Sequence, residues 1–429
     1  MPIMPNSQWQ LLKTSRFLPL FITQFLGAFN DTLFKTALLT FITFTLAQHQ
    51  AQRSEILVSL AQGIFILPFF LFSATAGQFA DKHEKSRLIR LIKFFEIVLM
   101  AAVIPGFYYN NPIWLMTVLF FAGVQATFFG PIKYSILPEH LAESELIGGN
   151  ALIESATFLA ILIGSIFGSL IVVAPQGIFL LGLTVITIAV GGWISSWFIP
   201  TTELAAPTLK IHANFLKATW EILCYAKQNK VIYSTIIGIS WFWLIGSEFL
   251  MLLPVFTSVT LHAESRVFTL FLTLFSIGIG IGSLLCNRLV NIATRTLYIP
   301  IAGIGMTLFM SDLYFATYYL KDINLANLIA IHDFVSSLLS IRIMLDLLLL
   351  AISSGLFIVP LYTVMQSLSD KQYRSRIIAC NNIMNALFMV AGALITLLLL
   401  NIQVSIVGIF LIVAIVNIGI IYYLYRAMS

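Results

Sequence analysis

Long apolar stretches recur along the whole chain and restrict its fold more than any other feature. Hydrophobic residues occupy 59% of the 429 positions and charged residues 10%, whereas soluble domains carry roughly 25% charge. Many stretches reach the roughly 20 residues that a helix needs to cross a bilayer, and they are too long and uniform for transmembrane strands. The sequence therefore predicts an all-α, polytopic membrane protein.

Hydropathy along the chain predicts twelve transmembrane helices. The predicted spans are 17–46, 55–80, 88–109, 113–136, 148–173, 176–199, 230–259, 266–291, 295–320, 341–368, 377–400 and 402–426. The longest hydrophilic connection follows the sixth span. It divides the chain into an N-terminal six-helix bundle at 1–199, a cytoplasmic linker at 200–229 and a C-terminal six-helix bundle at 230–429. In such an arrangement two bundles surround a midplane site.

Positive charge is distributed unequally between the two sides of this map. Eighteen Lys and Arg residues fall on the side of the N-terminus and four on the other side. Since these residues accumulate in cytoplasmic loops, both termini are predicted to be cytoplasmic. The net charge of +5 therefore reports orientation and does not indicate a nucleic-acid partner. The three cysteines and six histidines show no metal-binding spacing, so neither a metal nor another cofactor is expected.

The first span contains a polar cluster with the sequence GAFNDTLFK at residues 27–35. A charged side chain at bilayer depth costs about 2.5–3.5 kcal/mol on insertion scales. Such residues usually face a cavity and mark a path for substrate or ions. We therefore interpret Asn30, Asp31 and Lys35 as substrate-binding residues. The alternative is a structural ion pair, because Asp31 and Lys35 lie four residues apart on one helix face.

Four further polar residues are candidates for substrate binding, and each has two interpretations. Lys133 either pairs with a lipid phosphate or sets topology at the membrane interface. Glu154 lies on the same helix face as Asn150, and either receives a headgroup or proton in a cavity or balances a nearby lysine. Glu248 follows a tryptophan-rich segment, which suits an ammonium ligand; alternatively its side chain reaches outward to water.

Other charged groups within the spans are interpreted as structural. Glu96 follows a basic run at 87–93 and is expected to pair with one of its cations. Asp346 lies four residues after Arg342, so an ion pair between these two side chains is expected. Asp312 has no evident partner in the sequence.

The loop between the second and third spans begins with the sequence GQFADK. It resembles the G-x-x-x-D-[RK] signature of the major facilitator superfamily, formed here by Gly77, Asp81 and Lys82. A glycine lets helices approach closely, and the aspartate is able to cap the next helix and to accept from a cation on the facing half. Arg374 and Arg376 precede the eleventh span and are the expected partners in a cytoplasmic gate, although topology alone also places cations there.

Six segments resemble the lysophospholipid transporter family within that superfamily. They are FLPL at 17–20, QFLGAFND at 24–31, FFGPIKY at 128–134, GIGIGSLLC at 278–286, GLFIVPLY at 355–362 and IACNNIMNALFM at 378–389. The resemblance implies a bacterial inner-membrane flippase, not an enzyme, that returns lysophospholipids, mainly lysophosphatidylethanolamine, to the cytoplasmic leaflet. A separate acyltransferase–acyl-carrier-protein synthetase re-acylates them there, and no acyltransferase is expected after the twelfth span.

We therefore expect a monomer whose partners are a lysophospholipid and the bilayer. The alternative is a proton-coupled exporter of a drug, siderophore or other small amphiphile, in which Asp31 and Glu154 bind protons.

Glycines in the fifth and eighth spans either open a lateral slot for an acyl chain or only permit close helix packing. These are Gly164, Gly168, Gly278, Gly280 and Gly282.

Overall fold

The computed structural model describes residues 8–46, 51–212, 214–290, 295–318 and 328–428. Within these ranges twelve helices have 20 residues or more. Numbered in chain order, they are α1 Leu18–Phe41, α2 Ala51–Lys82, α3 Lys85–Tyr108, α4 Pro112–Ser135, α5 Leu146–Val173, α6 Gly177–Ser196, α7 Lys230–Val255, α8 Ser265–Leu289, α9 Arg295–Thr317, α10 Leu338–Leu368, α11 Arg374–Asn401 and α12 Ile406–Met428. An all-α fold is thereby confirmed.

Shorter helices join these twelve. They are Gln8–Lys13, Ile42–Leu46, Leu137–His140, Glu143–Glu145, Phe215–Gln228, Phe256–Thr260 and Ile331–Ser336. Among the described residues, β-structure is limited to one isolated bridge between Ala263 and Ile329.

The twelve long helices follow the twelve predicted spans in order. Ten of them, α2 and α4 to α12, are long and apolar enough to cross a membrane by length and composition. The other two, α1 and α3, have 24 residues each and carry the polar residues that form the site described below. The predicted span ends at 291 and 320 lie outside the described residues.

Helix starts follow local capping chemistry. Asn111 accepts a hydrogen bond from the Trp114 amide ahead of α4, and Asn229 accepts from two amides of α7. Glu84 caps α3 by accepting from the amides of Ser86 and Arg87. In each case a side-chain oxygen takes up amide groups that the first turn leaves without intrahelical partners.

The chain divides into two compact units. The first comprises Met1–Gly149, Leu159–Gln228 and Gln366–Ile383, and the second comprises Asn150–Phe158, Asn229–Met365 and Met384–Ser429. Helices α5, α10 and α11 therefore contribute residues to both units. The division at 199 and 230 into two six-helix bundles stays a prediction.

In the first unit, α6 packs against α1 and α3, and α4 packs against α2 and α3. Their apolar faces meet in a core that includes Phe34, Phe41, Phe107 and Leu181. The rings of Phe41 and Phe107 meet edge to face with centroids 5.1 Å apart, a favourable aromatic geometry. Burial of these faces stabilises the helix arrangement that holds the polar residues of α1, α3 and α4.

In the second unit, α12 packs against α7 and α9. Asn417 of α12 is buried, and its amide donates to the Gly303 carbonyl oxygen and the Thr307 hydroxyl group of α9. Its Oδ1 accepts from the indole of Trp241 at 2.8 Å. These bonds satisfy a polar side chain that would otherwise be costly inside an apolar bundle.

Glycines of α5 and α8 serve close helix packing in most cases. A Cβ on Gly164 or Gly168 would lie 2.9 Å from the Phe29 carbonyl oxygen or 2.5 Å from that of Leu33, both on α1. Gly278 and Gly282 face α10 in the same way. Gly280 differs, since its carbonyl oxygen accepts from Ser155 of α5 at 3.0 Å. The seam between α5 and α8 in the second unit therefore runs past Gly280.

The connection after α6 is attached to the rest of the first unit. Thr202 donates to Glu84 through its amide at 3.0 Å. Burial alone would raise the pKa of Glu84, but hydrogen bonds from Thr202 and from the amides of α3 outweigh it and hold the pKa below its ordinary range. The helix Phe215–Gln228 buries Ala218, Ile222 and Ala226. The predicted linker thus contains a packed helix.

Candidate functional site

A buried polar network lies between α1, α3 and α4 in the first unit. Its centre is the Glu96 carboxylate, whose Oε2 is 2.6 Å from the Lys93 ammonium group and accepts from Gln125 at 3.0 Å. Its Oε1 accepts from the Asn30 amide at 3.1 Å. Each of the four side chains is at most 4% exposed. Such a network is stable only when its members are paired.

Local sequence explains how the network forms. Lys93 and Glu96 are three residues apart on α3 and therefore project from one face. Lys93 also lies 4.7 Å from the ring centroid of Phe129 on α4, a cation–π distance. A side chain at Gly27 would collide with the Lys93 ammonium group, so the glycine leaves room for the ion pair.

The predicted pairing of Glu96 with a preceding cation is confirmed, and Lys93 is that cation. Sequence reasoning did not predict that the pair joins the Asn30 cluster, nor that Gln125 belongs to it. The available signal was polar residues in the apolar middle of α3 and α4. Hydropathy alone does not reveal that these polar faces meet.

Asp31 and Lys35 are not joined by an ion pair among the described residues. Lys35 instead places its ammonium group 5.5 Å from the ring centroid of Phe65 on α2. Asp31 is half-buried, and the charged groups that act on it are Glu96, Lys93 and Lys133. The alternative of a structural Asp31–Lys35 pair is therefore wrong.

Two neighbouring acceptor atoms on α1 lack donors. Oδ1 of Asn30 and Oδ1 of Asp31 are buried and receive no hydrogen bond from the described part of the chain. On α4, the Lys133 ammonium group lies 4.6 Å from the Tyr134 ring centroid. The first unit thus combines acceptor atoms suited to an ammonium group with a cation suited to an anion.

The other candidate substrate residues belong to the second unit. The Asn150 amide donates to the Thr363 hydroxyl group at 3.2 Å, and Glu154 is fully buried. Glu248 accepts from the Thr396 hydroxyl group at 2.6 Å and is 3% exposed. A Glu248 side chain that reaches outward to water is therefore ruled out.

The Asp81 carboxylate lies at the start of α11, within the first unit. Its Oδ1 accepts from the Ser375 amide at 3.0 Å, and its Oδ2 accepts from Arg376 through the amide at 3.3 Å and Nε at 2.9 Å. A Cβ on Gly77 would lie 2.9 Å from the Arg376 Cα, so only glycine permits this approach. Asp81 therefore caps α11 as well as pairing with a guanidinium group. The prediction that it caps the next helix, α3, is wrong, because Glu84 accepts from the first amides there.

The other two candidate gate cations do not contact Asp81. Arg374 donates to the carbonyl oxygens of Gln366 and Ser369 at the end of α10, where cations are favourable. Lys82 is half-buried and forms no ion pair among the described residues. Of the three predicted cations, the structure brings only Arg376 to Asp81.

Aromatic side chains connect the start of α11 to the helix Phe215–Gln228. The Arg376 guanidinium group lies 4.0 Å from the Tyr373 ring centroid, and Tyr373 stacks on Tyr225 at 4.2 Å. The Tyr225 hydroxyl group donates to Asp370 at 3.0 Å. Burial and this hydrogen bond raise the pKa of Tyr225 to about 12. A cavity of about 230 Å³ lies beside these residues.

Comparison with known proteins agrees with this architecture. The sequence profile of the Major Facilitator Superfamily matches residues 20–331. Curated relatives named Lysophospholipid transporter LplT, from Shigella dysenteriae serotype 1 (strain Sd197) and Escherichia coli (strain SE11), are 29% identical over 290 residues. Each alignment covers 66% of this chain and 68% of the relative. The sequence resemblance to lysophospholipid transporters is thereby confirmed.

Solved structures of transporters share the fold. The human organic anion transporter MFSD10 (TETRAN) aligns with a TM-score of 0.74 and 13% identity, covering 96% of this chain and 99% of that chain. The Major Facilitator Superfamily transporter FucP in its outward conformation aligns with a TM-score of 0.70 and 14% identity, covering 96% and 98%. At this identity the likeness concerns the fold alone. The chain is a multi-pass membrane protein, and it belongs to the major facilitator superfamily of transporters.

Proposed function

We propose that this protein is a lysophospholipid transporter of a bacterial inner membrane, which moves lysophosphatidylethanolamine-type lipids to the cytoplasmic leaflet. The observation that carries the proposal is the pair of buried acceptors without donors, Asn30 Oδ1 and Asp31 Oδ1, beside a network of charged side chains. Buried acceptors without donors are rare in folded proteins and call for a ligand or water. The curated relatives are named for lysophospholipid transport.

The headgroup chemistry corresponds to these residues. A phosphoethanolamine group carries one ammonium and one phosphate. In our proposal Asn30 and Asp31 accept hydrogen bonds from the ammonium, and Lys35 or Lys133 neutralises the phosphate as a compact point charge. Asn150, Glu154 and Glu248 stay candidate contacts on the second unit.

The acyl chain requires an apolar path. Moving it into water would cost about 0.8 kcal/mol for each CH₂ group, so we propose that it stays along apolar helix surfaces. Phe29, next to Asn30, stacks with Phe25 and meets Phe167 edge to face, and Phe167 is exposed. An aromatic surface of α1 and α5 therefore adjoins the polar site.

Orientation and partners belong to the same proposal. Both termini are cytoplasmic according to the distribution of positive charge. The product lipid is then delivered to the leaflet where a separate acyltransferase–acyl-carrier-protein synthetase re-acylates it. The protein works as a monomer, without a cofactor.

A proton-coupled exporter is the second candidate, and the buried carboxylate of Glu154 is the observation that favours it. Uptake of labelled lysophosphatidylethanolamine into spheroplasts, with and without a protonophore, separates the two functions. We expect uptake that depends on the protein and survives the protonophore. Drug efflux without lipid uptake, lost when the gradient collapses, would support the exporter instead.

The Asp31→Asn variant tests the headgroup assignment. It removes one charge and keeps the size of the side chain, so the helix packing is preserved. We expect most lysophosphatidylethanolamine transport to be lost while the protein still inserts and folds. Asp333→Asn is the matched control, because the Asp333 side chain is 75% exposed and lies outside the site. Normal transport by well-expressed Asp31→Asn protein would remove Asp31 from the site.

A further inference from the structure

In the second unit, a carboxyl group of α9 pairs with a guanidinium group of α10, and a second carboxyl group lies one turn further along α10. Arg342 donates to both oxygens of Asp312, with Nε 3.0 Å from Oδ2 and Nη2 2.5 Å from Oδ1. The prediction of an ion pair between Arg342 and Asp346 is therefore wrong, because both donors of the Arg342 guanidinium group point to Asp312 on α9. Asp346 lies one turn further along α10, on the helix face that carries Arg342, and its carboxyl group is close enough to that of Asp312 for the two to act on each other.

Asp346 is the buried member of this cluster. Its side chain is 5% exposed, and its Oδ2 receives no hydrogen bond from the described residues. The side chains of Arg342 and Asp312 are 49% and 34% exposed. The cluster is therefore accessible from the surface through its outer members and contains an acceptor without a donor at its inner one.

The charges of the cluster do not balance. Two ionised carboxylates and one guanidinium group leave a net charge of −1, and an uncompensated buried charge is costly in an apolar bundle. Two ionised carboxylates also have no hydrogen to share. One bound proton removes the net charge of the cluster and also converts one carboxylate into an O–H donor for the other.

Asp312 and Arg342 are the charged groups that act on Asp346. On α8, which packs against α10, Arg266 is exposed at the same end, and Glu264 before it accepts from the Ile331 amide. On α7, Glu248 bonds to Thr396. Arg288 of α8, Arg295 of α9 and Arg426 of α12 lie near the opposite ends of their helices, and Asp333 before α10 is exposed. Lys321 and Asp322 lie outside the described residues.

We propose that Asp312, Arg342 and Asp346 form a proton-binding site. In this site Asp346 binds one proton, and its O–H group donates a hydrogen bond to the Asp312 carboxylate. The proton comes from the aqueous phase next to the exposed members and returns to it. The neutral cluster then holds the ends of α9 and α10 together through Asp346–Asp312 and Arg342–Asp312 contacts. This site is separate from the Asn30–Asp31 acceptors and does not depend on the substrate that the protein carries.

Infrared difference spectroscopy across a pH series tests the site on the full-length protein in phospholipid vesicles. Wild-type protein is expected to show a carboxylic C=O stretching band that disappears as the pH rises. Asp346→Asn should lose this band, and Asp333→Asn, which alters an exposed carboxylate, should retain it. An unchanged band in Asp346→Asn protein with a native circular dichroism spectrum would overturn the proposal.

A second measurement covers the case in which Asp346→Asn fails to fold. Wild-type protein labelled with ¹³C at the aspartate carboxyl group should shift the band, whereas glutamate labelling should leave it in place. Asp346→Glu should retain a carboxyl band with a displaced pH midpoint. The proposal would be wrong if the aspartate label did not shift the band, or if the pH midpoint of the band were the same in Asp346→Glu as in wild-type protein. None of these readouts involves transport, so their failure leaves the proposed lipid transport untouched, and failed transport leaves the proton site untouched.

Discussion

At the scale of single residues, the Lys93–Glu96 pair dominates the polar interior of the first unit. Both side chains are at most 2% exposed, so neither charge has water as an alternative partner. Removing one member of such a pair leaves the other charge buried and unpaired, which typically costs about 3–5 kcal/mol. Replacing both members by uncharged side chains of similar volume is often close to neutral.

A double-mutant cycle tests this pairing. Lys93→Met and Glu96→Gln should each lower the melting temperature of the detergent-purified protein, because each leaves one buried charge. The double variant should be more stable than the sum of the two losses predicts. Additive losses would show that the two charges are stabilised separately, and would contradict the paired network around Asn30.

At the scale of helices, the Asp81 carboxylate joins the end of α2 to the start of α11. It accepts from two amides of the first turn of α11 and from Arg376. A capping side chain contributes roughly 0.5–2 kcal/mol, and the ion pair adds to it. If Asp81 belongs to a cytoplasmic gate, as we predict, differential contacts of this size shift the equilibrium between its closed and open states.

Asp81→Ala is therefore expected to loosen the start of α11. Native Cys380, one turn after Arg376, is buried and reports the change when Cys224 and Cys286 are replaced by alanine. We expect maleimide to label Cys380 several-fold faster after Asp81→Ala, with an intermediate rate after Asp81→Asn, which retains an acceptor oxygen. Equal labelling rates in all three proteins would separate Asp81 from gate closure.

The seam between α5 and α8 offers a second test at this scale. A Cβ on Gly280 would lie 4.0 Å from the Ser155 Cβ, which is within the usual Cβ separation of a disulfide bond. In protein without its native cysteines, Ser155→Cys with Gly280→Cys should cross-link under oxidation. We expect lysophospholipid transport to stop and to return on reduction, because alternating access requires such helix pairs to move. Each single variant serves as the control, and full transport with the bond formed would exclude movement at this seam.

At the scale of the whole molecule, we predict the orientation in the membrane from the distribution of positive charge. Cys224 is the exposed member of the three cysteines and lies in the helix Phe215–Gln228, which we predict to be cytoplasmic. A membrane-impermeant maleimide should label it in inverted membrane vesicles and leave it unlabelled in intact spheroplasts. Cys224→Ser should abolish the signal. Labelling in spheroplasts would reverse the predicted topology.

Helix number, order and class follow from the sequence alone. Hydropathy is a local property of a window of roughly 20 residues, so the twelve long helices and the resemblance to a transporter family are readable without tertiary structure. A capping role for Asp81 is also indicated locally, although the sequence assigned it to the next helix and the structure assigns it to α11. The pairing of Glu96 with a cation of its own helix is equally local.

Only the tertiary structure decided which polar faces meet. Arg342 of α10 pairs with Asp312 of α9 and not with Asp346 of its own helix. The Lys35 ammonium group lies near the Phe65 ring and does not pair with Asp31. The physical reason is that a charged side chain contacts the partner which a neighbouring helix places within its reach. That partner depends on helix rotation and crossing, which the packing of apolar side chains sets and which the spacing of charges along one helix does not contain.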